Sequence, residues 1–139
     1  MAYCDLETGA IIFYEKFEGH EETKDRYFVI ISNKAALVEC FTTTTQLHAK
    51  NSPKLANEYC EILEGECCLP KRCFVDFRSI YPFDDIQLGS RLRSKSVKRL
   101  GCLVPELLSR IRSSLANSRS LSPDEKERLI AEIDKRIEG

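Results

Sequence analysis

Tyr27-Phe28-Val29-Ile30-Ile31 is an unbroken run of aromatic and β-branched residues. It has no polar side of its own, so it reads as a central strand buried on both faces. Working upstream, Ile11-Ile12-Phe13-Tyr14 is a second apolar and aromatic strand, ending before a charged loop over 18–25. Downstream, Ser32-Asn33-Lys34 is a turn candidate, and 36–45 gives a third strand. That strand ends in Thr42-Thr43-Thr44-Thr45, whose branched side chains favour extended backbone. Short strands in such close succession predict a meander that curls into a small barrel.

The later segments complete an α+β chain. Glu58 to Leu63 alternates charged and apolar residues without a clean face, which suits an edge strand. Cys73 to Ile80 is a stronger strand, with Pro82 as its expected end. Ser52-Pro53 is a possible start of a short helix over 53–57. Pro105 to Asn117 places Leu107, Leu108, Ile111 and Leu115 on one helical face. Ser122-Pro123-Asp124-Glu125 is a capping box with proline at the first position, and Leu129, Ile130, Ile133 and Ile137 follow at helical spacing.

Composition narrows the class. A chain of 139 residues fits one domain over 1–139, and 42% apolar with 31% charged residues is the balance of a folded protein. No stretch approaches the ~20 apolar residues that cross a bilayer, so no membrane partner is expected. Met1 to Leu6 carries an acid and no base, unlike a secretory signal, which makes a cytoplasmic setting the expectation. The seven cysteines then read as reduced thiols. Of Cys60, Cys67, Cys68 and Cys73, only the last two have zinc-like spacing, so no metal and no cofactor are expected. Charge is uneven: residues 78–112 carry 8 basic and 3 acidic side chains, against 8 and 13 over 1–77. A local anionic partner and a merely solvated face both fit that block.

Several motifs in order carry a family resemblance. Gly19, Glu21, Glu22 and Arg26 fall in the register of the Gly-x-Glu-Gln-x-x-x-Arg-Pro loop of MazF/PemK-type toxins, with Glu22 and Tyr27 in place of glutamine and proline. Thr42 to Gln46 resembles the family's Thr-Thr-Gln strand end, and Val75 to Ile80 its late strand. Lys98-Arg99-Leu100-Gly101 before Pro105 is similar to its basic link into a helix. An insertion around 47–73 and a further helix over 122–138 exceed the family's minimal pattern. The resemblance implies an SH3-like barrel, usually dimeric, that cleaves single-stranded RNA without metal and pairs with a cognate antitoxin.

Under that resemblance Arg26 is the cation for the phosphorane transition state, since guanidinium is always charged and forks onto phosphate oxygens. A hydroxyl from Thr42 or Thr44 is the second donor; anchoring on either side of the motif selects one or the other. Glu21 is the nearest general base, and His20 beside it is a rival. Arg78, Arg91, Arg93, Lys95, Lys98 and Arg99 are candidates for holding the RNA backbone, with Tyr81 and Phe83 near enough to stack bases. The alternative is a non-catalytic SH3-like module that binds a protein or nucleic acid through the same groove.

Overall fold

The Tyr27–Ile31 run lies in the middle of a sheet because it has apolar side chains for both faces. A computed structural model describes residues 6–18, 23–45 and 57–139. Along the chain these form β1 (Ala10–Glu18), β2 (Thr23–Lys34), β3 (Leu37–Thr44), β4 (Tyr59–Ile62), β5 (Cys73–Asp84), α1 (Asp85–Ser94), β6 (Val97–Cys102), α2 (Pro105–Ala116) and α3 (Pro123–Glu138). The strands make one antiparallel sheet in the order β4-β5-β3-β2-β1-β6, curled into a half-barrel. The possible helix over 53–57 falls almost wholly outside the described residues, as does the loop core 19–22.

Alternation along the strands builds two cores. Val29, Ile31, Phe41, Val75 and Phe77 face α2 and α3, where Leu108, Ile111, Leu115, Leu129 and Ile133 close over them. Ile12, Tyr14, Phe28, Ile30 and Cys40 face the other way and meet Leu88 of α1 and Val97 of β6. Both α2 and α3 bury the stripes expected of them, and Ser122 accepts from the Glu125 amide in a complete capping box. Cys60 and Cys73 belong to the helix-side core. Burial first, then neighbouring thiols, pushes Cys73 up to about 12, so it acts there as a small hydrophobe.

Three expectations are corrected. Ser32 to Lys34 are not the turn: β2 runs through them, and the hairpin closes at Ala35 and Ala36, both with positive φ (53° and 67°). Two such residues are what a two-residue turn with the strands' own twist requires. Pro82 does not end β5, which continues to Asp84. Beyond Asp76 the outer edge of β5 has left β4, so the missing proline N–H leaves no ladder bond unmade. The segment between β5 and α2 is not a plain basic link either. It holds α1, capped by the Asp84 carboxylate on the amides of Ile86 and Gln87, and β6.

One buried carboxylate ties the helical hairpin to the sheet. Glu58, 2% exposed, accepts from Ser118 Oγ at 2.5 Å, Arg119 N at 2.8 Å and Ser120 N at 3.2 Å. Burial alone would push its pKa up, but these donors outweigh it and hold the group below the ordinary carboxylate value. A depressed pKa contributes stability above the unfolded value and loses it as pH falls through the folded one. Glu58→Gln is therefore expected to cost about 2 kcal/mol in urea unfolding at pH 7. The gap should narrow below about pH 4.5 as the wild type protonates. At the hairpin, replacing Ala35-Ala36 by Asn-Gly removes left-handed strain of about 1 kcal/mol per residue and should raise the unfolding temperature.

Candidate functional site

Two irregularities in the sheet create the site. In β1 the pairing moves from Tyr14↔Arg26 to Phe17↔Lys24, one extra residue, with Lys16 at φ 52°. The bulge is pinned by the Lys16 amide donating to the Asp25 carboxylate at 2.9 Å. It brings Phe17 onto the same face as Tyr14, where their rings meet edge-on at 5.2 Å. The second irregularity is a fork. β2 and β3 pair only as far as Phe28↔Thr42. Beyond it β2 stays with β1 to Thr23, and β3 stays with β5 to Thr44↔Phe74.

A cleft of about 280 Å³ opens in this fork, lined by Lys24, Asp25, Arg26, Tyr27, Thr43, Thr44 and Thr45. That is slightly below the ~300 Å³ lower end of small-molecule pockets, a fit for a compact polar group. Arg26 opposes Tyr14 across β1, and Phe28 opposes Thr42 across β3, so Arg26, Thr42 and Thr44 share one face. Thr44 lines the cleft beside Arg26. Thr42 is 5% exposed, and its hydroxyl makes two long contacts, to Tyr27 O at 3.4 Å and Thr43 O at 3.5 Å. Thr42 thus bridges the fork, while of the two candidates it is Thr44 that lines the cleft, with Thr43 and Thr45 beside it.

The Arg26 side chain is half-buried, and its Nε is shut off from solvent without a hydrogen-bond partner among the described residues. Asp25, its neighbour, is occupied by the bulge. An unpaired buried donor costs about 1–3 kcal/mol. Tyr27, which follows, pairs with Phe13, their rings 5.2 Å apart. His20 and Glu21 lie outside the described residues.

The basic candidates separate into different environments. Arg91 and Arg93 sit in the last turn of α1 and Lys95 caps it in a left-handed conformation. Arg91 lies over the Tyr14 ring, 5.1 Å from its centroid. Lys98 and Arg99 are on β6, and Arg99 is paired with Glu7. Arg78 donates to Asp76 at 3.1 and 3.0 Å and lies 5.1 Å from the Tyr59 centroid. The hydrogen bonds to Asp76 hold its pKa above the ordinary arginine value.

Asp76 and Tyr59 were not among the candidates read from sequence. The row Phe28↔Thr42↔Asp76↔Tyr59 crosses four strands on the face that carries Arg26. Burial, then the Asp76 carboxylate, pushes the Tyr59 phenol above its ordinary pKa. The available signal was a lone acid inside the apolar run Phe74-Val75-Asp76-Phe77. Among the described residues, no group of three His, Cys, Asp or Glu is arranged to hold a metal ion, and no helix is long and apolar enough to cross a membrane. The chain matches no protein-family model and no curated protein.

If Arg26 is placed for a ligand and not for the fold, removing it should not harm stability. Arg26→Met keeps the aliphatic stem and deletes the unpaired donor. It is expected to leave the unfolding free energy unchanged or raise it by about 1 kcal/mol, measured by urea titration.

Proposed function

We propose that the protein is an endoribonuclease toxin of a toxin–antitoxin pair, built on an SH3-like barrel of the MazF/PemK type and acting on single-stranded RNA without metal. The observation that carries this reading is the buried Arg26 Nε, without a hydrogen-bond partner among the described residues, at a threonine-lined cleft. A structural arginine would be expected to have found an acid.

The chemistry needs three things at the scissile phosphate. The ribose 2′-oxygen attacks phosphorus, the bond to the 5′-oxygen breaks, and a 2′,3′-cyclic phosphate and a 5′-hydroxyl result. Arg26 is suited to the extra negative charge on the pentacoordinate phosphorus, which is larger in the transition state than in the ground state. The Thr44 hydroxyl is the second donor. Glu21, with His20 as its rival, is the candidate to take the 2′-hydroxyl proton; Asp76, opposite Thr42, has both oxygens engaged by Arg78. A cognate antitoxin would silence the cleft with an acidic, flexible segment that competes for Arg26.

Purified protein incubated with single-stranded RNA and a chelator should yield fragments ending in 2′,3′-cyclic phosphate. Arg26→Ala should slow cleavage by at least about a hundredfold, the usual cost of losing one transition-state donor. RNA left intact by the wild type, with and without chelator, would remove the nuclease reading and leave a non-catalytic binding module.

A further inference from the structure

Two arginines on the Arg26 face lie over tyrosine rings, each with its guanidinium carbon 5.1 Å from the ring centroid. The Arg91 guanidinium sits over Tyr14, which is itself stacked on Phe83 with centroids 5.4 Å apart and planes 24° apart. Tyr14 is only 9% exposed, so a ligand reaches the outer plane of Arg91 and not the ring beneath it. On the far side of the cleft, Arg78 sits over Tyr59, half of its side chain exposed. A guanidinium laid on an aromatic ring is preorganised, and its outer face stacks on a nucleobase while its edge still donates to phosphate.

Strand order turns these into a line. Tyr14 is on β1, Arg26 on β2, Thr44 on β3, Asp76 and Arg78 on β5, and Tyr59 on β4, which are successive neighbours in the sheet. The tyrosines beneath the two arginines are thus four strands apart in the sheet order, with the forked cleft between them. We propose that single-stranded nucleic acid crosses the sheet transverse to its strands, one base stacking on Arg91 over Tyr14, another on Arg78 over Tyr59, and the intervening phosphate at Arg26. The substrate class rests on the ribonuclease reading; the path does not need cleavage. It also separates Arg91 from Arg99, whose charge Glu7 already answers; Arg78, whose charge Asp76 answers, offers its plane and not a free charge.

The test is binding of a 2′-O-methylated single-stranded RNA, which lacks the attacking hydroxyl proton, followed by fluorescence anisotropy over a salt series. Arg91→Lys keeps the charge and loses the plane, and should weaken binding about fivefold or more with an unchanged salt slope. Arg91→Gln should weaken it at least as much and lower the slope by about 0.7, one phosphate contact. Arg78→Lys should behave like Arg91→Lys, and Arg119→Gln, an exposed arginine in the α2–α3 link, should match wild type. Arg91 lies at the exposed end of α1, so its variants fold and the test holds even if Arg78→Lys disturbs Asp76. Wild-type binding by both Arg91 variants, equal loss in Arg119→Gln, or no binding of this RNA by the wild type overturns the path. Unmodified RNA separates the two ideas. Arg91-dependent binding with no cleavage keeps the path and removes the nuclease. Cleavage that ignores both Arg91 variants keeps the nuclease and removes the path.

Discussion

The parting of β2 from β3 after the Phe28–Thr42 pair is the constraint on which the rest of the structure depends. A sheet that kept pairing to the ends of both strands would stay closer to flat and would close over the backbone at Arg26. Here each strand finds another partner past the fork, β2 with β1 and β3 with β5, so no long stretch of ladder is lost. The β1 bulge serves the same end. Its extra residue sharpens the local bend, and Phe17 is swung under the sheet to pack on Phe28 at 5.1 Å. The aromatic group of Tyr14, Phe17, Phe28, Tyr81 and Phe83 then fills the concavity, leaving the polar cleft at its margin.

The opposite face is covered by the helical hairpin. The α2–α3 hairpin lays Leu107, Leu108, Ile111, Leu115, Leu129 and Ile133 on the sheet, all nearly or fully buried. Each such side chain contributes about 1.5–3 kcal/mol relative to exposure. Polar ties fix the hairpin's position: Glu58 grips the link, and Glu39 on β3 is paired with Arg128 of α3. Both faces carry a core, and the cleft lies where the two strands part, at the margin of each.

How much of this was legible in the sequence depended on whether a signal was local. Tyr27–Ile31, the two helical stripes and the Ser122 capping box are local patterns whose periodicity or cap chemistry determines the element, and each appears as expected. The hairpin turn was misplaced because Ala35-Ala36 carries none of the usual Gly or Asn markers of positive φ; the turn is imposed by strand pairing on both sides. Helix α1 was missed because its hydrophobic residues are sparse, with Leu88 and Leu92 as its main inward anchors, and because the basic residues there invited a reading as a phosphate-binding track. The fork and the Thr42–Asp76 row are long-range features. They depend on which residue of β5 meets which of β3, and the irregular register between Cys40 and Thr42 cannot be read from either strand alone.

The arginines show where the fold stops accounting for the sequence. Arg72, Arg78, Arg99, Arg110, Arg112 and Arg128 each meet a carboxylate, and most of them are well exposed, where such pairing is worth about 1 kcal/mol or less. Arg26 is half-buried, where most of them are exposed, and its Nε has no partner among the described residues. Asp25 is adjacent in sequence but bound to the bulge amide, so the one acid closest along the chain is withheld from it. Among the described residues, those surface arginines are paired while the enclosed Arg26 Nε, beside the threonine-lined cleft, is not, and a buried donor left without a partner costs about 1–3 kcal/mol. Under the proposed function, an anionic ligand in the cleft would offset that cost, the more so the stronger the charge that develops on it.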